Sequence, residues 1–243
     1  MAAQSAADAR RFQKLGARAD QVRVLGNLKY DVAVPEGLDG FRAAFASALG
    51  APRPVWVAAS THEGEEAAVV ALHRRLRERW PDLLLLWAPR HPERFARVQA
   101  LCVEAGWKTG SRRRDTWPRA DDAVFVIDTL GELMAFFACA QVAFVGGSLQ
   151  AIGGHNLLEP AATATAILSG PHLHNFADIA KRLREAEAMR VVDDAAALAA
   201  ALQELFADEQ ARERMAANAQ QLLQAGRGAL ERTMALIEPA LPK

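Results

Sequence analysis

Short, almost continuously apolar runs alternate with amphipathic segments along most of the chain. Runs of this kind are typical of β-strands that are buried on both faces of a sheet. Their alternation with helical patterns predicts an α/β fold, with a parallel sheet covered by helices on both faces. The predicted strands are Val55–Ala59, Leu83–Ala88, Ala123–Ile127, Val142–Val145, Ala166–Leu168 and a short Val191–Val192.

The segments between these runs have helical periodicity. After Asp193 the chain is predicted to be helical around 194–206 and 208–238. In the first helix, three-to-four spacing defines one apolar stripe. That stripe consists of Val69, Leu72, Leu76 and Trp80.

The first fifty residues have a different pattern. Val22–Leu25 is predicted as one short strand, and a helix is predicted near 40–49. These elements do not form a folding unit by themselves. We therefore predict that residues 1–50 are a connector and the tail of another, N-terminal domain, and that residues 51–243 form an α/β domain with C-terminal helices.

Composition excludes some classes of protein. Lys+Arg and Asp+Glu both number 29, so the chain lacks the basic footprint of a nucleic-acid binder. The basic run Arg112–Arg114 has two interpretations, a site for anions or anionic lipid headgroups, or a solvated loop. Cys102 and Cys139 lie in apolar patterns without a second metal-type ligand, which predicts core thiols in a reducing compartment.

No targeting or membrane segment is predicted. Met1–Arg11 is alanine-rich and polar, unlike a secretory signal. The most apolar window, Leu133–Val145, is too short to span a bilayer and is interrupted by Gln141. We interpret it as the end of a helix followed by a buried strand.

Ligands of such sheets bind beyond the carboxyl ends of the strands, so the loops that follow the strands are the candidate sites. After the first strand, Ser60 and Glu63 have the spacing of a capping box, which predicts a helix start with free N–H groups. Capping does not require an imidazole, so His62 is a candidate for ligand binding. After the second strand, the prolines flanking Arg90 and His91 predict a rigid loop. There the Arg90 guanidinium can hold a phosphate or carboxylate, or form a structural ion pair.

The third and fourth strands are followed by glycine-containing loops. Thr129 and Glu132 again have capping-box spacing, and Gly131 allows the close approach of a flat ligand. Gly146-Gly147-Ser148 and Gly153-Gly154-His155 can point backbone amides at an anion, or can be purely structural turns. Neither is a GxGxxG or GxxxxGK motif.

Asn156 and Glu159 fit a further helix start, with Pro160 in the first turn. Glu159 can accept two hydrogen bonds from the vicinal diol of a ribose. Five of the six histidines lie in these loops: His62, His91, His155, His172 and His174. No pair of them has i, i+4 zinc spacing and no cysteine joins them, so donors to phosphate and carboxylate oxygens are favoured over a metal site.

Together these loops resemble the C-terminal half of the 3-deoxy-D-manno-octulosonic acid (Kdo) transferases. The opening GNLKYD resembles the interdomain stretch of that family, and the resemblance covers nearly all of residues 12–240. The segments that carry it are ASTHEGEE, PRHPERF, DTLGEL, FVGGSL, GGHNLLEPAA and GPHLHNF.

The resemblance implies the two-domain glycosyltransferase fold called GT-B, with this chain as the Rossmann-like C-terminal domain. Members of the family transfer Kdo from CMP-Kdo to the lipid A precursor in lipopolysaccharide biosynthesis, without a metal or another cofactor. The reaction takes place at the cytoplasmic face of the Gram-negative inner membrane. The implied location is therefore cytoplasmic and peripheral to that membrane.

The resemblance also implies roles for individual residues. Arg90 would hold the donor phosphate, Asn156 and Glu159 would reach the phosphate and ribose, and the 128–132 loop with Gly131 would lie against the cytosine. The remaining implied residues would line the phosphate and sugar end. They are Ser60, Thr61, His62, His91, Gly146, Gly147, Ser148, Gly153, Gly154 and His155.

The chain departs from the family pattern in two side chains and in length. Leu157 and Leu130 stand where the family usually has proline and methionine. The family's N-terminal domain, which carries a membrane anchor, the acceptor-binding surface and a glutamate base, is not recognised in this sequence. We therefore assign no catalytic residue, and expect weak donor binding and negligible transfer without an N-terminal domain as partner.

Two alternatives remain open at the level of sequence. One is a different GT-B enzyme that acts on a UDP-sugar, such as an epimerase or another transferase. The other is a non-catalytic donor-binding or partner-docking module that works beside a separate N-terminal chain. A contiguous apolar patch around 22–50 and 225–240 would favour the second.

Overall fold

The computed structural model describes residues 1–238. Its strands are β1 (Ala2–Ala3), β2 (Arg23–Val24), β3 (Val55–Thr61), β4 (Leu84–Pro89), β5 (Thr109–Ser111), β6 (Val124–Val126), β7 (Val142–Val145), β8 (Ala166–Ser169) and β9 (Arg190–Val191). Its α-helices are α1 (Ala6–Lys14), α2 (Leu38–Leu49), α3 (Glu63–Arg79), α4 (Phe95–Glu104), α5 (Arg112–Asp115), α6 (Leu133–Phe137), α7 (Leu158–Ala162), α8 (Ala177–Glu185), α9 (Ala195–Ala207), α10 (Glu209–Gly226) and α11 (Ala229–Ile237).

Seven of the strands form one parallel sheet, in the order β5-β6-β4-β3-β7-β8-β9. From β3 the chain builds outward through β4 to one edge, then returns to place β7 on the other side of β3. The loops after β3 and β7 therefore diverge, and the crevice between them is the switch point at which such sheets bind ligands. This confirms the predicted fold class.

All six predicted strands of this sheet are present, with ends that agree within two residues. The sequence prediction missed β5. It is a three-residue edge strand of Thr109, Gly110 and Ser111, and it has no apolar run to mark it. Edge position, shortness and polarity remove the signal by which the other strands were found.

The sheet is buried on both faces, as its apolar runs predicted. Along β3, Trp56 and Ala58 pack into a core with α3, α4 and α9, whereas Val57 and Ala59 pack into a second core with α2 and α6. Alternate residues of a strand point to opposite faces, so a strand covered on both sides must be apolar throughout. The predicted stripe of the first helix lies in the first core and ends at Trp80, just after α3.

The chain divides into two compact units. The larger runs from Val34 to Gln220; it contains the sheet and also α2, whose Phe45 and Leu49 are buried in the core. The division therefore lies before α2, not at the predicted residue 50. The predicted helical segment 208–238 is two helices, α10 and α11. The helix is interrupted at Arg227 and Gly228, and Gly228 has a left-handed φ of 89°.

The smaller unit consists of Met1–Ala33 and the chain from Gln221 onward. Within it, β1 pairs with β2 in parallel. The Asp31 carboxylate accepts hydrogen bonds from the backbone N–H groups of Gly228 and Leu230, both at 2.6 Å, at the start of α11. Large apolar side chains are exposed on this unit: Leu15, Val24, Leu28, Leu230, Met234 and Ile237. The rest of the predicted apolar patch, residues 239 and 240, lies outside the described residues.

The most apolar window of the sequence is the end of a helix followed by a strand, as predicted, because it contains α6 and β7. No helix within residues 1–238 is both long and apolar enough to cross a bilayer. Cys102 is buried and Cys139 is half-buried, and burial raises the pKa of each thiol to about 12. Both thiols are therefore protonated and unreactive at neutral pH.

His73 lies outside the strand-end loops and has a purely structural environment. It is buried in α3, where its Nδ1 accepts a hydrogen bond from Trp56 Nε1 at 3.2 Å and its Nε2 donates to the Ala123 carbonyl at 3.0 Å. Burial lowers its pKa from 6.5 to about 3. His73 is therefore protonated near pH 6.5 in the unfolded chain, but only near pH 3 in the folded chain.

This difference makes folding stability depend on pH. The contribution is complete above pH 6.5 and is lost as the pH falls from 6.5 toward 3. Between pH 7 and pH 5 we expect it to lower the free energy of unfolding by about 2 kcal/mol. Urea unfolding at pH 7 and pH 5 measures this difference. The His73→Gln variant should not show the loss of unfolding free energy between the two pH values, whereas His174→Gln, an exposed control, should show it. An unchanged decrement in His73→Gln would contradict the prediction.

Candidate functional site

A cavity of about 360 Å³ lies at the carboxyl ends of the central strands. Its volume is in the range of small-molecule sites. It is lined by Ala59, Ser60, Ala88, Pro89, Arg90, Phe95, Ile127, Thr129, Leu130, Gly131, Leu133, Phe137, Val145, His155, Asn156, Glu159 and Phe176.

Six of the predicted site residues line this cavity: Ser60, Arg90, Gly131, His155, Asn156 and Glu159. The other predicted site residues do not line it: Thr61, His62, His91, Gly146, Gly147, Ser148, Gly153 and Gly154. The sequence prediction missed most of the apolar wall. Phe95 and Phe176 end the segments PRHPERF and GPHLHNF, so their position in the same strand-end loops was the available signal.

Ser60 reaches the cavity from a strained backbone. Its φ is 53°, in the left-handed region, and the pairing of β3 with β4 shifts register at this point. The next residue, Thr61, is held in place by two hydrogen bonds. Its Oγ1 accepts one from Trp87 Nε1 at 2.9 Å, and its carbonyl accepts one from Arg90 N at 3.1 Å. Such strain persists only where the surroundings enforce it, and it is common at functional sites.

Arg90 brings an unneutralised positive charge to the cavity. No residue that the structure describes forms an ion pair or hydrogen bond with its guanidinium, so it is not engaged as a structural ion pair. The neighbouring Arg94 differs, because its guanidinium is held by the Glu66 carboxylate through two hydrogen bonds and lies 3.3 Å from Glu63. A free guanidinium at a strand end is suited to bidentate binding of a phosphate or carboxylate.

Asn156 and Glu159 face the same cavity as a preformed pair. Asn156 Nδ2 donates to Glu159 Oε1 at 2.9 Å, and Asn156 Oδ1 accepts from Leu158 N at 3.1 Å at the start of α7. Burial raises the pKa of the Glu159 carboxyl, while the hydrogen bond from Asn156 lowers it. The second carboxylate oxygen remains available as an acceptor for ligand hydroxyls.

The amides of the first glycine loop are occupied by an acid of the chain itself. The Glu65 carboxylate accepts hydrogen bonds from Gly147 N at 2.8 Å, Ser148 N at 3.0 Å and Leu149 N at 2.9 Å, and a fourth from His62 N at 3.1 Å. The loop does direct amides at an anion, as predicted, but that anion is Glu65 and not a ligand. The capping interaction of α3 is likewise between His62 and Glu65, not between Ser60 and Glu63 as predicted.

The other glycine-loop groups are also engaged within the protein. Ser148 is fully buried, donates to the Val145 carbonyl at 2.7 Å and accepts from Gly170 N at 2.8 Å. A Cβ would lie 2.7 Å from Glu65 at Gly146, and 2.6 Å from Leu173 at Gly154. Gly153 is similarly crowded by the side chains of the 172–176 loop. The structural-turn interpretation describes these positions.

Gly147 allows the approach of two imidazoles, and this can be tested. Its φ is 63°, and a Cβ would lie 2.7 Å from His155 Nε2 and 3.3 Å from His62. We expect Gly147→Ala to lower the free energy of unfolding by about 2–3 kcal/mol, through backbone strain and overpacking. Gly131→Ala, at a φ of 85° with nothing near a Cβ, should lose only about 1 kcal/mol. Equal losses in chemical denaturation would show that contact with the imidazoles is unimportant.

Three histidines form a cluster, and one of them, His155, lines the cavity. His62 Nε2 and His155 Nε2 are 2.9 Å apart with their ring planes 5° from parallel, and His91 meets His62 edge-on at 5.2 Å between centroids. Burial, together with the positive charge of Arg90, lowers the pKa of His155 to about 4, and burial also lowers the pKa of His62. Within residues 1–238, no three or more His, Cys, Asp or Glu side chains are arranged to hold a metal ion.

The loop after β6 forms the opposite wall. Glu132 accepts a hydrogen bond from Thr129 Oγ1 and binds the Arg112 guanidinium at 2.6 Å, and α6 begins only at Leu133, so the predicted capping box does not form. Arg112 also stacks over Trp117, at 4.5 Å from the ring centroid. The basic run is thus partly neutralised by local contacts. Leu130, 72% exposed, presents an apolar surface at the rim.

The parallel sheet, with a cavity at its switch point, has the architecture of the C-terminal domain of GT-B glycosyltransferases. The solved C-terminal CMP-Kdo binding domain of WaaA from Acinetobacter baumannii is similar over its whole length and 78% of this chain, with a TM-score of 0.74 and 30% identity. The chain belongs to the 3-deoxy-D-manno-octulosonic acid transferase family. This confirms the resemblance seen in its strand-end loops.

Sequence relatives agree with this assignment. The 3-deoxy-D-manno-octulosonic acid transferase of Haemophilus influenzae is 36% identical over 100% of the chain and 57% of its own length. That of Bordetella pertussis is 39% identical over 97% of the chain and 55% of its own length. The family described as 3-Deoxy-D-manno-octulosonic-acid transferase (kdotransferase) matches residues 1–32. The chain thus spans somewhat more than half the length of these curated relatives.

Proposed function

We propose that this chain forms the donor site of a Kdo transferase that moves Kdo from CMP-Kdo to the lipid A precursor during lipopolysaccharide synthesis. The observation that carries the proposal is the free Arg90 guanidinium, which lines the same cavity as the Asn156–Glu159 pair. A cation for phosphate and a carboxylate for ribose are the two groups that a nucleoside monophosphate requires. Similarity to the CMP-Kdo binding domain from A. baumannii supports CMP-Kdo as the donor.

In this proposal the parts of CMP occupy separate portions of the cavity. Arg90 binds the phosphate, and the free oxygen of Glu159 accepts hydrogen bonds from the ribose hydroxyls. Asn156 holds Glu159 in position through the 2.9 Å hydrogen bond between them. Leu130 and Gly131 lie against the base, because the exposed leucine offers an apolar surface and the glycine leaves room beside it.

In the proposed transfer of Kdo, CMP is the leaving group. An acceptor hydroxyl oxygen attacks the anomeric carbon of Kdo, and the bond from that carbon to the phosphate oxygen breaks. CMP leaves with the bonding electrons, so negative charge grows on the phosphate, where Arg90 stabilises it. The hydroxyl proton passes to a base. We assign no residue of this chain to that role, because the family resemblance implies that an N-terminal domain supplies the base.

The choice of donor is tested by calorimetric titration of the purified chain with CMP, UDP and ADP. We expect CMP to bind more tightly than UDP or ADP, because the 128–132 loop distinguishes the bases, whereas the ribose and the α-phosphate are common to all three. A preference for UDP would assign the chain to a different sugar-nucleotide enzyme. Equal binding of all three would contradict the proposed donor.

A further inference from the structure

The His62–His155 pair differs from a structural histidine such as His73. Both ring nitrogens of His73 are bonded within the core. In the pair, by contrast, Nδ1 of His155 has no hydrogen-bond partner among the residues that the structure describes, and His155 lines the same cavity as Ser60 and Arg90. An accessible ring nitrogen without a protein partner, on the wall of a cavity, is suited to hydrogen bonding with a ligand group.

The short contact between the two rings determines what that nitrogen can do. Two Nε2 atoms at 2.9 Å must share one proton, so one ring donates and the other accepts. When His62 donates, the neutral His155 ring carries its own proton on Nδ1. A ligand that accepts a hydrogen bond from His155 selects this tautomer without any change in the charge of the pair.

The charged groups around the pair favour an anion as that ligand. Arg90 follows β4 and His91 lies against His62. Two acids of α3 lie near the histidine pair, but both are bonded within the protein. The Glu65 carboxylate accepts hydrogen bonds from the four backbone N–H groups described above, and Glu66 is bound by Arg94. The unneutralised positive charge of Arg90 therefore dominates this end of the cavity.

We propose that His155, oriented by His62, binds the carboxylate of the sugar acid in the donor and thereby selects an acidic sugar over a neutral one. The proposal rests on the proposed function. In such an ulosonic acid the carboxyl carbon is bonded to the anomeric carbon, so the carboxylate lies next to the phosphate. A carboxylate site must therefore adjoin the phosphate site at Arg90. His155 lines the same cavity as Arg90, close enough for the Arg90 charge to lower its pKa.

The test compares two ligands that differ by the sugar acid. Calorimetry gives the dissociation constants of CMP and of CMP-Kdo for the wild-type chain and for His155→Gln, His62→Gln and His174→Gln. We expect His155→Gln to weaken CMP-Kdo at least tenfold while CMP changes less than twofold. His62→Gln should have a smaller effect in the same direction, because it acts through His155. The exposed control His174→Gln should change neither ligand.

The outcomes separate the two proposals. If the wild-type chain does not bind CMP, the proposed function fails. If it binds CMP and the histidine variants weaken CMP and CMP-Kdo equally, or weaken neither, the carboxylate site is wrong while the donor site stands. Retained CMP binding by His155→Gln also shows that the variant is folded, so that a selective loss of CMP-Kdo supports the assignment.

Discussion

Replacing Glu65 with alanine is expected to lower the free energy of unfolding by about 4 kcal/mol. The side chain is 1% exposed and satisfies four backbone N–H groups, three of them in the 147–149 loop. Each buried amide left without a partner costs about 1–3 kcal/mol, and water entering the site offsets part of the sum. Unfolding in urea at pH 7 measures the difference.

A neighbouring glutamate supplies the control. Glu63 lies in the same turn of α3, but its side chain is 84% exposed and its carboxylate only approaches Arg94 at 3.3 Å. Glu63→Ala should change stability by less than about 0.5 kcal/mol. Glu65→Gln should fall between the two, because an amide keeps one acceptor oxygen. Similar losses for Glu63→Ala and Glu65→Ala would contradict the role given to Glu65.

Replacing Arg90 with glutamine is expected to weaken CMP binding by about 10- to 100-fold. A charge-assisted hydrogen bond contributes about 1.5–3 kcal/mol, and glutamine lacks both the charge and the forked donor geometry. Glu159→Gln should have a smaller effect, because an amide oxygen still accepts one ribose hydroxyl. Calorimetric dissociation constants for CMP give both values.

Arg97→Gln is the matched control for Arg90. Arg97 lies on α4, pairs with Glu104 at 2.9 Å and does not line the cavity. Its replacement should leave CMP affinity unchanged within about twofold. If Arg97→Gln weakens CMP as much as Arg90→Gln does, the effect reflects overall charge and not a phosphate contact.

Much of the fold could be predicted because burial on both faces makes each central strand a continuous apolar run. Val55–Thr61 and Val142–Val145 were visible for that reason, whereas Thr109–Ser111 was not. The division of the chain was predicted less well. The contact between Asp31 and Gly228 joins residues 197 positions apart, and nothing local in the sequence indicates such a pairing.

The candidate site was partly predictable for a related reason. Ligands of parallel sheets bind beyond the carboxyl ends of the strands, so Arg90 and Glu159, which follow two of these ends, could be assigned to one crevice from sequence. What could not be predicted is which polar groups are already engaged. Glu65 meets the glycine loop across 82–84 residues, and only the folded chain shows that its carboxylate takes the amides that were expected to bind a ligand.

The residues at the strand ends therefore fall into two groups, those that support the structure and those that are available to a ligand. Glu65, Ser148 and the glycines form a rigid support that the protein satisfies internally. Arg90 and Glu159 instead present groups that the protein leaves available. Variants of the first kind should therefore reduce stability, and variants of the second kind should reduce affinity with little loss of stability.

A crystal structure of the chain with bound CMP tests the central claim most directly. We predict that the phosphate lies within about 3 Å of the Arg90 guanidinium and that a ribose hydroxyl lies at the same distance from Glu159. The Gly147 and Ser148 amides should remain bonded to Glu65. Nucleotide bound elsewhere, for example in the cavity lined by Pro171, Lys181 and Asp193, would contradict it.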